Sequence, residues 1–193
     1  MSEQRHRHSI RLKGYDYSGP GAYFVTLCTH NRECLFGEIV NGEMHLNALG
    51  RIVREEWLRS AEIRPEMVLD AFVVMPNHLH GIVIFNDDNA VTVGAHSRAP
   101  LPGRAPLPGR APLPGHAPLH RNPRSLGAFI AGFKSAVTKR INQIRQLPGV
   151  SVWQRNYYEH IIRDDESLDR IRRYIANNPA RWDEDQENPT RKP

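Results

Sequence analysis

Phe72-Val73-Val74-Met75-Pro76-Asn77-His78-Leu79-His80-Gly81-Ile82-Val83-Ile84-Phe85 is an apolar run broken by one turn signal and two histidines. Pro76-Asn77 divides it into two β-rich halves, so the spacing predicts strands over 68–75 and 79–85. Side chains alternate along a strand, which puts His78 and His80 on one face and Leu79 on the other. Two imidazoles two residues apart can share one metal ion. Two such rings buried without a partner would cost free energy.

Working outward, Ala22-Tyr23-Phe24-Val25-Thr26-Leu27-Cys28-Thr29 reads as another strand. Asn41-Gly42 between 35–40 and 43–46 predicts a hairpin, because both residues tolerate positive φ. Asn47 is a good cap for a helix to about Ile63, with Ile52, Val53, Trp57 and Leu58 on one stripe. Ser125 caps a second helix whose stripe is Leu126, Phe129, Ile130, Phe133, Val137, Ile141 and Ile144. Val150–Trp153 and Tyr158–Ile162 read as short strands. A last helix starts near Asp164-Asp165-Glu166-Ser167, where acid suits the dipole, and stops before Pro179. This order predicts an α+β domain with an antiparallel sheet, and a ferredoxin-like arrangement is the natural expectation.

The hexapeptide Arg98-Ala99-Pro100-Leu101-Pro102-Gly103 recurs at 104–109 and 110–115, with a degenerate copy at 116–119. Its prolines block helix and internal strand. Its Leu and Pro do not supply the β-branched inward residues of a hexapeptide solenoid. Residues 88–124 therefore read as a flexible, partly polyproline-like loop inserted in one domain spanning 1–182, with a polar tail over 183–193. A docking segment for a proline-reading partner is the functional alternative for the repeat.

The chain has 193 residues, 39% of them hydrophobic, and 26 Lys plus Arg against 21 Asp plus Glu. A formal charge of +5 mildly favours a polyanionic partner. There is no 18-residue apolar run for a membrane span and no signal-peptide pattern. Two cysteines, Cys28 and Cys34, imply no disulfide framework. A soluble, cytoplasmic protein associated with the nucleoid is the expectation.

In the last helix Leu168, Ile171, Tyr174, Ile175 and Asn178 share a face, and Tyr174 and Asn178 are one turn apart. A tyrosine beside an oxygen donor at the negative end of a helix dipole suits a cation. With His78 and His80 opposite, three ligands can hold a divalent ion, and Tyr174 can attack a phosphate polarised by it.

Val74-Met75-Pro76-Asn77-His78-Leu79-His80, Phe133-Lys134-Ser135, Trp153-Gln154-Arg155 and Tyr174-Ile175-Ala176-Asn177-Asn178-Pro179 resemble the REP-associated tyrosine transposases. These are relatives of the single-tyrosine insertion-sequence transposases in the HUH (His-hydrophobic-His) endonuclease class. Gly14-Tyr15-Asp16-Tyr17 with Gly21–Thr26 is similar to that family's start. The resemblance spans about residues 9–182 apart from the repeat, which departs from the family. It implies a ferredoxin-like HUH fold and a Mg²⁺- or Mn²⁺-dependent nickase of single-stranded DNA. His78, His80 and Asn178 would be metal ligands. Tyr174 would form a 5′-phosphotyrosine link and free a 3′-hydroxyl. The DNA implied is an imperfect palindrome folded as a hairpin, and a homodimer is open.

Blander readings stand beside these. His78 and His80 can be hydrogen-bonded core histidines, Tyr174 a core aromatic, and Asn178 only a helix-ending residue. Tyr157 and Tyr158 are rival nucleophiles. Cys28, His30 and Cys34 offer zinc-type ligands, although packing is the simpler role. Arg11, Lys13, Lys134, Arg140, Arg155 and Arg163 are candidate phosphate contacts, each also readable as a solvated charge. Trp153 can stack on a base or fill the core. Besides the nickase, a catalytically silent hairpin-binding protein and a hydrolase using an activated water remain open.

Overall fold

The computed structural model describes residues 20–86 and 125–191. Arg11, Lys13 and the repeat at 88–124 lie outside the described residues. In chain order the elements are β1 (Gly21–Cys28), β2 (Gly37–Val40), β3 (Glu43–Leu46), α1 (Ala48–Ile63), β4 (Met67–Val74), β5 (His78–Phe85), α2 (Leu126–Arg145), β6 (Tyr158–Ile162) and α3 (Asp165–Asn177). A 3-10 stretch, Pro179–Glu184, follows α3.

Four strands form an antiparallel sheet in the order β4-β5-β1-β6. This is the ferredoxin-like arrangement that the sequence predicts. β4 runs parallel to β1, and β6 to β5, each pair separated by one strand. Such connections need crossovers, and α1 and α2 provide them. The β2–β3 hairpin is inserted before α1. It turns on Asn41 at φ 53° and Gly42 at φ 77°, the positive-φ pair that Asn-Gly favours.

The helices start where their capping residues stand. Asn47 accepts from the Leu49 and Gly50 N–H groups, Ser125 from Ala128 and Asp164 from Ser167. One sheet face packs Tyr23, Val25, Leu27, Leu79 and Val83 against Trp57 of α1 and Phe129, Phe133 and Val137 of α2. The other face packs Phe24 and Ile82 against Ile162 and Ile175, with Leu168 and Ile171 of α3 beside them. β1 and β5 are thus covered on both sides. Fully burying one large aliphatic side chain is worth about 1.5–3 kcal/mol, so both faces contribute.

Gly81 faces the first core, where a Cβ would collide with the Trp57 indole. Between the crossover helices, Arg140 pairs with Glu55 and Glu56 of α1 at 2.7 Å each.

Several expectations are corrected. Leu58 is exposed, because the buried stripe of α1 runs through Ile52, Val53, Glu56 and Trp57 and Leu58 points past it. Ile144 is exposed at the far end of α2. Val150–Trp153 is not a strand, because Thr29 pairs with Trp153 alone. Part of the expected tail is folded: Asp185 and Asn188 are buried, and the Asn188 side chain donates to Trp182 O at 3.0 Å. Among the described residues no helix is long and apolar enough to cross a membrane.

Two glycines make opposite predictions. Gly81→Ala should destabilise by about 1–3 kcal/mol, because the indole has to move. Gly132→Ala, on a part of α2 with open space around it, should stabilise by about 0.5–1 kcal/mol. Urea melts of the two variants check both signs.

Candidate active site

The register of the sheet builds the site. Cys28 stands opposite His78 and Thr26 opposite His80. The two imidazoles lie side by side on the α3 face, ring centroids 4.4 Å apart, and both are buried.

Each ring is oriented by a second residue. Asn77 donates its amide N–H groups to Arg32 O at 3.1 Å and Glu187 O at 2.7 Å. Its Oδ1 is thereby turned to His78 Nδ1 at 2.9 Å, and only an Nδ1–H can satisfy it. His78 Nε2 is then a bare lone pair, buried and without a hydrogen-bond partner. His80 Nδ1 lies 2.8 Å from Thr26 Oγ1, and its Nε2 lies 3.2 Å from the Tyr174 hydroxyl. Burial pulls the His78 pKa down to about 4 and that of His80 well below the usual value, helped by His78 beside it. Both rings are neutral at pH 7, the form that ligates metals.

Asn178 caps α3 and is buried. Its amide N–H donates to Asp185 Oδ2 at 3.0 Å, and its Oδ1 has no partner. Asp185 Oδ2 comes within 3.9 Å of His78 Nε2. One atom each from His78, His80 and Asp185 lies within 4.8 Å of the others. Two unpartnered acceptors, His78 Nε2 and Asn178 Oδ1, thus sit beside a buried carboxylate, an arrangement that fits a cation. The donor set is two imidazole nitrogens and two oxygens, which suits Mn²⁺ or a similar ion at least as well as Mg²⁺.

Tyr174 stands at the mouth of this pocket, 46% exposed, with its ring 5.2 Å from that of His80 and edge-on to Phe24. Partial burial, with the charge of Asp185 second, pushes its pKa up to about 12. α3 is held in place by Arg172, which donates to both carboxylate oxygens of Asp70 on β4 at 2.9 and 2.6 Å. That bond is also the main reason the Asp70 pKa is lowered. Ile175 anchors the same helix from the sheet side.

The structure therefore brings His78, His80, Tyr174 and Asn178 into one pocket. Of the rival tyrosines, Tyr157 packs on the α1–α2 core under Lys134, and Tyr158, opposite Thr26 on β6, shares the α3 face of the sheet with its ring 6.2 Å from that of Phe24. Cys28, His30 and Cys34 do not assemble a site among the described residues; Cys28 Sγ bonds to Glu187 and Cys34 is exposed. Arg155 and Arg163 are exposed. Arg140 is occupied by Glu55 and Glu56. Lys134 donates to Gln154 O and Asn156 O, and burial pulls its pKa down to about 8, so it braces a loop.

Asp185 escaped the sequence reading, as did the orienting roles of Asn77 and Thr26. A signal for Asp185 was present in Trp182, an aromatic residue in a polar segment. Its ring lies 6.0 Å from that of His78.

No protein-family model matches the chain. It is 41% identical over 181 residues to an uncharacterized protein of Haemophilus influenzae, covering 94% of this chain and 92% of that protein. A solved structure of a REP-associated tyrosine transposase bound to a REP hairpin matches 91% of this chain and 74% of its own, with a TM-score of 0.51 and 16% identity. At that identity the likeness establishes the fold.

The buried histidines set a pH dependence. The unfolded chain protonates His78 near the ordinary imidazole value of about 6.5, whereas the folded one does so only near 4. The unfolded state thus binds more protons across that window. Stability is full above about pH 6.5 and is lost as the pH falls toward 4, by on the order of 3 kcal/mol. Urea melts in EDTA between pH 7.5 and 4.5 should show this slope, and His78→Gln should reduce it to the part that His80 contributes. An equal slope in both proteins would refute the assignment.

Proposed function

The chain belongs to one family with the Haemophilus influenzae protein, and we propose that it is a metal-dependent endonuclease and transposase that nicks and rejoins single-stranded DNA beside palindromic hairpins. The observation that carries this reading is the Tyr174 hydroxyl, 3.2 Å from His80 Nε2, at the mouth of a pocket with two unpartnered acceptors. The fold shared with a hairpin-bound tyrosine transposase supports it.

In this reading His78 Nε2, His80 Nε2, Asn178 Oδ1 and Asp185 would hold the ion. A divalent ion there supplies charge neutralisation at the scissile phosphate and lowers the cost of ionising the phenol. The other roles belong to the chain. Asn77 keeps His78 in one tautomer, with its Nε2 lone pair toward the pocket, and Thr26 steadies the His80 ring. α3, fixed by Arg172 and Ile175, holds the phenol at the pocket mouth. Tyr174 oxygen attacks phosphorus, the bond from phosphorus to the 3′-oxygen breaks, and a 5′-phosphotyrosine forms. The phenol gives up one proton and the departing 3′-hydroxyl gains one. Rejoining is the reverse, with a 3′-hydroxyl attacking the phosphotyrosine. Burial pushes the Tyr174 pKa up to about 12, which raises the cost of ionising it, and a divalent ion in the pocket would offset that cost.

Labelled hairpins from the gene's flanks, incubated with Mn²⁺ or Mg²⁺ and run on a denaturing gel, test the reading. Wild type should give a metal-dependent covalent protein–DNA band, absent with Tyr174→Phe and His78→Ala. Asp185→Ala should need about 10–100-fold more Mn²⁺ for half-maximal nicking. Cleavage that survives Tyr174→Phe would overturn the nucleophile.

A further inference from the structure

Asp185 stands just past the last regular turn, because the 3-10 stretch ends at Glu184. No helix or strand fixes its carboxylate, so its neighbours must. Its Oδ2 accepts from Asn178 at 3.0 Å and lies toward His78. Its Oδ1 accepts from the Glu187 N–H at 2.6 Å. The position of Asp185 therefore depends on what holds Glu187.

Three groups from the far end of the sheet hold Glu187. Its O accepts from the Asn77 amide at 2.7 Å. Its Oε2 lies 3.0 Å from the Arg32 guanidinium and accepts from Cys28 Sγ at 3.4 Å. Arg32 is the most heavily engaged of these residues. Its fork reaches Glu187 with one nitrogen and donates to Gln186 O with the other, at 3.2 Å. Its own O accepts from Asn77, the residue that orients His78.

The backbone under this arginine is held in a conformation that glycine would adopt more easily, with φ 58° at Arg32 after φ 54° at Asn31. The turn that carries it cannot drift. Thr29 N–H donates to Asn77 O at 2.8 Å and Phe36 N–H to Pro76 O at 2.9 Å, which ties both its ends to the turn before His78. The Arg32 side chain is 37% exposed, where an ion pair adds little to stability. What a planar fork with two acceptors supplies is direction.

We propose that Arg32 is a positioning residue for the metal pocket: acting through Glu187, it keeps Asp185 turned toward His78. The proposal rests on the reading that this pocket takes a divalent ion. Electrostatics alone gives the opposite sign. Removing a positive charge near a cation site strengthens cation binding, whereas loss of this support weakens it.

The test titrates Mn²⁺ into the full chain without DNA and reads free Mn²⁺ by EPR. Arg32→Gly suits the backbone and should leave the urea midpoint in EDTA within about 0.3 M of wild type. It should nevertheless bind Mn²⁺ about tenfold more weakly. Arg32→Lys, which keeps the charge and one donor at a time, should fall between the two. Glu187→Ala should weaken binding by a similar factor, and the double variant should be no weaker than about threefold below either single, because both act through one contact. Unchanged or tighter binding in Arg32→Gly would overturn the proposal, as would losses that multiply in the double variant. A larger fall of the midpoint in both Arg32 variants would make Arg32 a general brace and overturn it too. Wild type that takes up no Mn²⁺ removes the metal reading and this proposal together. Arg32-dependent uptake by a protein that never cuts DNA keeps the proposal and removes the nickase. Nicking by a protein whose Mn²⁺ affinity ignores Arg32 does the reverse.

Discussion

β5 has to satisfy two different neighbours at once, and the rest of the molecule follows from that. Leu79, Val83 and Phe85 belong to the core beneath α1 and α2, and Gly81 leaves room there for the Trp57 indole. On its other face the same strand carries His78, His80 and Ile82 toward α3 and the segment after it. A ferredoxin-like sheet needs its helices on one face only. Here the second face is closed by α3, which lets a polar pocket exist at buried depth. A one-residue slip of β5 would send both histidines into the aliphatic core and Leu79 into the pocket. The eight-residue pairing with β1 makes such a slip costly.

The pocket is polarised in one sense. Its histidines are held neutral by burial, its amide oxygen is unpartnered, and its carboxylate belongs to Asp185. In an apolar surrounding a neutral acceptor is cheaper to keep than a charge, yet all these groups would gain from one cation. The tyrosine shares the same economy. Its hydroxyl lies 3.2 Å from the His80 nitrogen that a cation would use, so the two would compete for one position.

Local chemistry was readable wherever a few adjacent residues decide the outcome. Asn41-Gly42 turns the hairpin, Asn47 and Ser125 start helices, Pro179 ends one, and the His-x-His spacing places both rings on one face. The four-residue set His78, His80, Tyr174 and Asn178 was also readable, because strand and helix periods put each member on a predictable side. Partners from distant chain were not. That Thr26 stands opposite His80 depends on register, which no local pattern encodes. That Arg140 turns to Glu55 and Glu56 depends on how α1 and α2 pack. Val150–Trp153 has strand-like composition but meets a partner only at Thr29. Asp185 sits among Asp183, Glu184 and Glu187, where composition suggests a solvated tail; only its burial against Asn178 sets it apart.

Asp185 closes a pocket whose other walls come from β1, β5 and α3, so the site joins residues more than 150 positions apart. Protein synthesis delivers these parts in order, at about 5–20 residues per second. The histidines are made early and then wait many seconds without the phenol, the amide oxygen or the carboxylate. A chain still being translated therefore has twin histidines without the groups that complete the pocket around them. A message broken before codon 185 yields a fragment with an incomplete pocket.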